Sequence, residues 1–191
     1  GNRVSPQALG AILAANVGQD ALRYQVGHDH FHYDSSAFSR GNAYVETQHA
    51  IIKPALTHGD PQSAWRAFGR LSHAVQDFYA HSNYVALWLS RNNDVNRAPE
   101  QIDPLDQGIL LSRDLHSGTP HLFDLLLYMN LLPASWLKLA PMNSHLAMNI
   151  DGPDRLNFDY VFSAAVMRTR FEFARALNNL SADLGKAFTD L

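Results

Sequence analysis

Apolar residues recur every three or four positions along much of the chain, and these stretches begin or end at Pro, Gly or Asn. The clearest helix start is Asp60-Pro61, because Asp caps a helix N-terminus well and Pro fits the first helical position. Leu71 and Val75 follow with a spacing of four, so they share one apolar face. This pattern predicts a helix that runs through Ala80 and bends shortly afterwards.

Weaker signals of the same kind predict further helices on both sides of this one. They run from Ser5 to near Gly27, from Asn42 to about Leu56, and over about 106–113, 120–131 and 133–139. From about Asp154 to the C-terminus the apolar positions keep a helical period, which predicts one long amphipathic helix. No stretch alternates as a half-buried strand does. The chain is therefore predicted to be all-α, a compact multi-helix bundle.

Length and charge bound the class of protein. A chain of 191 residues with 46% hydrophobic residues suffices for one sizeable core, so we predict a single helical metal-binding domain over residues 1–191. The formal net charge of −3 gives no basic surface for a polyanion, and duplex nucleic acid is not an expected partner. The most apolar stretch is interrupted by Asp124 and Lys138 and cannot span a bilayer. No signal peptide is visible. If Gly1-Asn2 is a mature end from which a signal has been removed, we expect an exported protein, secreted or periplasmic.

Ten histidines and no cysteine narrow the chemistry of any metal site. Without thiolates, a transition metal must be held by His, Asp, Glu or backbone groups. His73, Asp77 and His81 follow one another at spacings of four on the predicted helix, so they form a row on one face. The neighbours of this row are large and apolar, and a polar row in such surroundings needs partners, which favours metal. The row spans about 12 Å, which suits two ions about 3.5–4 Å apart better than one.

The loop HDHFHYD, residues 28–34, is the densest source of further ligands. One helix cannot complete a coordination sphere, so other segments must contribute. We select His32 and Asp34 as ligands from this loop and leave His28 and His30 open. The alternative is a run of surface histidines that binds metal only adventitiously.

Two later segments also carry candidate ligands. His49 lies among apolar residues of the second helix, where a metal ligand and a core histidine held by a hydrogen bond fit the pattern equally. His145 is followed by Asn149 at four positions and by Asp151 at six, and the first spacing suits a chelating pair on a helix.

The segment around the metal row resembles a known family. LSHAVQDFYAHSNYV is similar to the signature of the Het-C heterokaryon-incompatibility family. AANVGQD, HYDSSAF and HLAMNID resemble shorter elements of that family, so the resemblance covers about residues 16–85 and 145–175. Het-C in turn looks related to zinc-dependent phospholipase C and the fungal zinc nucleases, which are all-helical and hold three zinc ions.

This resemblance implies a cofactor and a ligand set. The positions that match the zinc ligands are His73 and Asp77 for paired ions, His81 and His145 for another, and Asp34 and His49 beside the first. In the phospholipases the last His is followed by a carboxylate where this chain has Asn149, and Asp151 is the substitute. The implied cofactor is Zn²⁺, with two or three ions.

Phosphodiester hydrolysis is the predicted function, in the form of a phospholipase C-like enzyme that acts on phospholipid. Two ions can lower the pKa of a shared water and steady the attacking and leaving oxygens. Asp34 is the predicted catalytic carboxylate that positions this water. The apolar segment 122–139, with Trp136 in it, predicts peripheral contact with a membrane, and core packing of two short helices is the alternative.

Two rival functions stay open. A zinc-dependent nuclease would use the same ions and would need aromatic platforms for bases, for which Tyr79 and Tyr84 are candidates. A non-catalytic cell-death or toxin module would use metal only to hold its fold. An HD-type phosphohydrolase, suggested by His28-Asp29, is set aside because no histidine precedes His28.

Overall fold

A computed structural model describes residues 4–25, 27–92 and 97–190 of the chain. The helices are α1 Pro6–Val17, α2 Leu22–Gln25, α3 Phe38–Thr57, α4 Pro61–His81, α5 Tyr84–Asn92, α6 Gln107–Leu110, α7 Leu122–Tyr128, α8 His145–Met148, α9 Phe158–Asn178 and α10 Ala182–Thr189. Short 3₁₀ turns cover Gly18–Asp20, Asp29–Phe31, Asp34–Ser36, Pro99–Gln101 and Ala134–Leu139. These residues form no β-strand, only two isolated bridges, so the predicted all-α class is confirmed. No helix in the described ranges is long and apolar enough to cross a membrane.

The chain divides into two compact units. Unit 1 comprises the chain through Phe31, Ser39–Val75 and the part from Thr169 onward, and unit 2 comprises His32–Phe38 and Gln76–Arg168. The single domain expected over residues 1–191 stays a prediction.

The core of unit 1 is built on aromatic side chains and one close approach of helices. Trp65 is buried, and its Nε1–H donates to the carbonyl of Phe188 at 2.7 Å. The Phe188 ring stacks on Phe173 with 5.8 Å between centroids. α1 lies so near α4 that a Cβ on Gly69 would sit 2.3 Å from the carbonyl oxygen of Ile12. Glycine is therefore required at this contact.

Unit 2 has an aromatic core of its own at the end of α4. Phe78, Tyr79 and Tyr84 are buried and pack edge to face, with centroids 4.9–5.6 Å apart. The Tyr79 hydroxyl donates to the carbonyl of Pro104 and the Tyr84 hydroxyl to that of Asp103, each at 2.5 Å. Buried tyrosines need such partners. This core holds the last turns of α4, which carry candidate ligands.

The central helix follows its sequence signals closely. Asp60 Oδ1 accepts the Ser63 N–H at 3.0 Å, as an N-cap does, and α4 begins at Pro61. The helix ends at His81, and α5 begins at Tyr84, so the predicted bend is confirmed.

Three other predicted boundaries are wrong. α1 ends at Val17, far short of Gly27, because the Gly18 N–H caps the helix C-terminus and a 3₁₀ turn follows. α3 begins at Phe38 rather than Asn42, since its buried positions already start at Gly41. The expected single C-terminal helix is two helices, α9 and α10. They separate where the Ser181 hydroxyl accepts the Leu184 N–H and caps a new helix start.

Candidate metal centre

All three residues of the predicted row of ligands lie on α4. His73, Asp77 and His81 are only 5%, 8% and 4% exposed. Their polar atoms therefore depend on partners inside the protein. Each of the three residues has different partners and therefore a different local environment.

In unit 2, three candidate ligands from distant parts of the sequence lie together. Asp34, His81 and His145 each offer one donor atom, and these atoms all lie within 4.8 Å of one another. His145 Nδ1 is 2.9 Å from Asp34 Oδ1, and His81 Nδ1 is 3.4 Å from the same oxygen. The two imidazole rings meet edge to face with 4.3 Å between centroids. We call this set the Asp34 cluster.

Each member of the Asp34 cluster is fixed by local structure. Asp34 lies in a 3₁₀ turn and is buried. His81 is the last residue of α4, so its ring extends from a rigid support. His145 is the first residue of α8, whose N-cap Ser144 accepts the Ala147 N–H at 3.1 Å. A helix end, a helix start and a tight turn thus present the three side chains.

The electrostatics of the Asp34 cluster are those of a charged network. Burial opposes ionisation of Asp34, but hydrogen bonds from His145 and His81 and the charges of these histidines hold its pKa below 3.8. Burial also opposes protonation of His81. The charge of Asp77 and the hydrogen bonds to Asp151 and Asp34 prevail and raise the pKa of His81 well above 6.5. Without metal, an ionised carboxylate therefore faces an imidazolium at neutral pH.

Asp151 provides a carboxylate on the open side of this cluster. Its Oδ2 lies 3.4 Å from His81 Nε2, and the side chain is 56% exposed. Burial alone would raise the pKa of Asp151, but the hydrogen bond from His81 and the charge of His81 lower it below 3.8. The Asn149 amide donates to the same oxygen at 2.7 Å. Asn149 thus orients Asp151 instead of supplying the carboxylate itself.

His32 and Asp77 form a further pair within unit 2. His32 Nδ1 lies 2.8 Å from Asp77 Oδ2, and both residues are buried. The backbone carbonyl of His32 is 3.3 Å from His81 Nδ1. The loop that supplies Asp34 is therefore tied to α4 by side-chain and backbone contacts.

The remaining predicted ligands lie in unit 1. His73 Nε2 is 3.6 Å from Asp20 Oδ1, and Asp20 is exposed. His49 Nε2 is 2.7 Å from Glu172 Oε2, and the Glu172 side chain is completely buried. His28 stacks on Phe31 with 4.8 Å between ring centroids. Metal ligation by His49 and His73 stays a prediction.

Sequence reasoning missed several residues around these sites. Asp20 and Glu172 were not selected, although the carboxylate of Asp20 ends the AANVGQD segment that the family resemblance includes. Glu172 lies between two phenylalanines on an amphipathic helix, and this buried setting was a signal that it needs a partner. Gly118, which contacts His81 and His145, and Ser117, which binds Tyr33 and Ser36 beside Asp34, carry no metal-ligand side chain and gave no signal.

Fold and site together define an all-α protein with a buried His/Asp cluster that has the composition of a divalent metal site. Residues 2–107 match the family model of the VWA7 N-terminal domain, and the chain belongs to this family. The match includes Asp34 and His81 but ends before His145.

Two curated relatives share part of this region. The chain is 34% identical over 83 residues to human von Willebrand factor A domain-containing protein 7, and 32% identical over 80 residues to the protein of that name from Rattus norvegicus. Each alignment covers 42% of this chain and 9% of the relative. The chain thus matches a small part of much longer proteins. No solved structure matches the chain.

Proposed function

We propose that this chain is a zinc-dependent phosphodiester hydrolase of the phospholipase C-like kind, with the Asp34 cluster as its metal centre. The observation that carries the proposal is the convergence of Asp34, His81 and His145, whose donor atoms lie within 4.8 Å of one another. The three residues are separated by 47 and 64 positions, so the fold, and not sequence proximity, brings them together.

The donor set fits a zinc ion of the catalytic kind. Zinc takes imidazole nitrogen and carboxylate oxygen readily, and catalytic sites use three protein ligands with one position open. Two histidines and one aspartate match this set, and the ionised state of Asp34 matches the requirement for a deprotonated ligand. His81 must release its proton before it can bind metal. Asp151 adds a fourth candidate ligand, an exposed carboxylate, beside His81.

The chain's own residues have distinct parts in such a site. A bound divalent ion lowers the pKa of its water and polarises a phosphoryl oxygen. Without metal, Asp34 Oδ1 faces the Nδ1 atoms of both histidines and keeps the three candidate ligands together. Asp151 is exposed beside His81, where it can accept a proton from a water molecule. The number of ions and the catalytic role of Asp34 stay predictions. Metal ligation also stays a prediction for His32, His49, His73, Asp77 and Asp151.

The segment 122–139 supports phospholipid as the substrate class. Leu122, Leu131, Trp136 and Leu139 are 71%, 61%, 44% and 62% exposed. Exposed apolar patches of this kind mark lipid or protein interaction sites. Lys138 is exposed within the same segment, and Asp124, its one acidic residue, is buried. We therefore propose that this segment contacts a phospholipid surface, and export of the protein stays a prediction.

The nuclease alternative loses its candidate base platforms. Tyr79 and Tyr84 are completely buried, and their hydroxyls are bound to backbone carbonyls, so neither ring is free to stack on a base. A non-catalytic module with structural metal has no such objection. It differs from the proposal in one property, which is turnover of a phosphodiester.

Metal content and turnover test the proposal together. Zinc per chain would be measured by elemental analysis, and hydrolysis would be followed with phosphatidylcholine vesicles and with bis(p-nitrophenyl) phosphate. We expect stoichiometric zinc and hydrolysis in the wild type, and loss of both in Asp34→Asn. The matched control is Asp159→Asn, because Asp159 is exposed on α9. Zinc without turnover of either substrate would support the structural-metal module instead.

Vesicle binding tests the lipid contact separately. Leu122→Gln and Leu139→Gln should weaken sedimentation with phosphatidylcholine vesicles, because both side chains are exposed and available to the lipid. The control is Leu111→Gln, which is 80% exposed in the same unit but lies outside the segment. Equal binding of all three variants and the wild type would contradict the contact.

A further inference from the structure

One short segment that carries no metal-ligand side chain connects the three parts of the Asp34 cluster. This connecting segment, residues 117–119, lies in unit 2. The Gly118 carbonyl accepts the Ser35 N–H at 2.8 Å, and the Gly118 N–H donates to the His81 carbonyl at 3.0 Å. The Thr119 carbonyl accepts the His145 N–H at 3.0 Å. Backbone hydrogen bonds thus join it to the turn of Asp34, the end of α4 and the start of α8.

The side chain of Ser117 binds the backbone on both sides of Asp34. Its Oγ accepts the Ser36 N–H at 2.8 Å and donates to the Tyr33 carbonyl at 2.5 Å. In return the Ser117 N–H donates to Ser36 Oγ at 3.2 Å. Ser117 is buried, so no water competes for these bonds. The residues on both sides of Asp34 are therefore held by one hydroxyl.

The turn that Ser117 holds has an uncommon backbone. Tyr33, Ser35 and Ser36 all have positive φ, at 55°, 53° and 54°. Non-glycine residues rarely adopt this region, and they keep it only where the surroundings impose it. The hydrogen bonds from Ser117 and Gly118 are the imposing contacts, and the strained turn carries the carboxylate that faces His81 and His145.

Gly118 makes room for His145. A Cβ at this position would lie 2.7 Å from the His145 Cα and 3.0 Å from the His145 nitrogen. Such an approach is too close for any side chain, so a larger residue must displace the start of α8. Glycine is needed here for the position of a ligand.

We propose that Ser117 and Gly118 are positioning residues that set the geometry of the Asp34 cluster for metal binding. The inference rests on the proposed metal centre and adds the part of the chain that orders it. Groups that orient metal ligands affect affinity without touching the ion, and their loss costs about 10- to 100-fold in affinity.

Zinc titration of Ser117→Ala tests the role of the hydroxyl. We expect zinc affinity, measured by competition with a chromophoric chelator, to fall about 10- to 100-fold. We also expect the visible absorption spectrum of the Co²⁺-loaded protein to change, because the Asp34 turn loses its support. The control is Ser112→Ala, which likewise removes a hydroxyl bound to a backbone N–H, that of Asp114. Unchanged affinity and an unchanged Co²⁺ spectrum in folded Ser117→Ala would overturn the proposal.

Gly118→Ala is a second variant that keeps the proposal testable if Ser117→Ala does not fold. We expect weaker zinc binding and a shifted Co²⁺ spectrum, while Gly10→Ala, whose added Cβ meets nothing within 4 Å, should match the wild type. Wild-type behaviour of Gly118→Ala would overturn the proposal. Wild-type protein that binds no zinc would overturn the metal centre itself, so the two failures are distinct.

Discussion

His49 and Glu172 form a buried pair in unit 1. Variants of this pair test whether His49 is a structural histidine or a metal ligand. Their nitrogen and oxygen are 2.7 Å apart, and the Glu172 side chain is completely buried. Removal of one partner of a buried pair costs about 3–5 kcal/mol, because the other group stays buried without it. Arg175 Nη1 lies 3.4 Å from the same Glu172 oxygen and compensates in part. For His49→Leu we expect a loss near the lower end, about 3 kcal/mol in the free energy of unfolding.

Replacement of both partners separates the cost of removing His49 from beside a buried carboxylate from the value of the pair. The double variant His49→Leu/Glu172→Leu should be much more stable than the sum of its single variants predicts, since no charge is left buried alone. Arg175 keeps its exposed partner Glu46 at 2.6 Å in that variant. Urea denaturation of chelator-treated protein gives all four unfolding free energies by linear extrapolation. Additive losses, or a loss below about 0.5 kcal/mol in His49→Leu, would refute the reasoning.

Zinc content of the same variant decides the second role of His49. The contact of His49 Nε2 with Glu172 favours the alternative of a core histidine over that of a ligand, so we expect His49→Leu to bind as much zinc as the wild type. A fall in zinc content would show that His49 is a ligand, as the family resemblance implies.

Three further predictions concern stability. The raised pKa of His81 stabilises the metal-free protein below pH 6.5, and this stabilisation is lost as pH rises through the folded-state pKa of His81. The lowered pKa of Asp34 stabilises the protein above pH 3.8, and this stabilisation is lost as pH falls through the folded-state pKa of Asp34. Thermal unfolding of chelated protein should therefore show a maximum between these values, which His81→Asn should flatten. Gly69→Ala should cost about 1–3 kcal/mol in urea unfolding, because its Cβ would meet the Ile12 carbonyl. Ser181→Ala should cost about 1 kcal/mol, because it removes the N-cap of α10.

The parts of the fold that sequence predicted best depend on local chemistry. Asp60 and Pro61 act on the first turn of α4, and the apolar period of that helix follows from its own residues. The same holds for the row of His73, Asp77 and His81, whose common helix follows from spacing alone. Two helix boundaries were missed because an apolar period continues across both of them. They are the end of α1 at Gly18 and the start of α10 at Ser181.

The arrangement of the site could be predicted only in part. The sequence identified Asp34, His81 and His145 as candidates, but no spacing relates them, since they lie on a turn, a helix end and a helix start. Their meeting depends on backbone hydrogen bonds of Gly118 and Thr119 and on bonds from the Ser117 hydroxyl to backbone groups, and backbone partners leave no pattern of residue types. Side chains carry a sequence signal, whereas a backbone carbonyl or N–H belongs to every residue.

Anomalous diffraction from crystals of zinc-loaded protein tests the metal centre most directly. Data collected on both sides of the zinc absorption edge would locate each ion without reference to the proposed ligands. The account predicts a peak among Asp34, His81 and His145, about 2.0–2.2 Å from their donor atoms. Zinc-containing crystals with no peak at this cluster, or with peaks only at surface histidines, would contradict it.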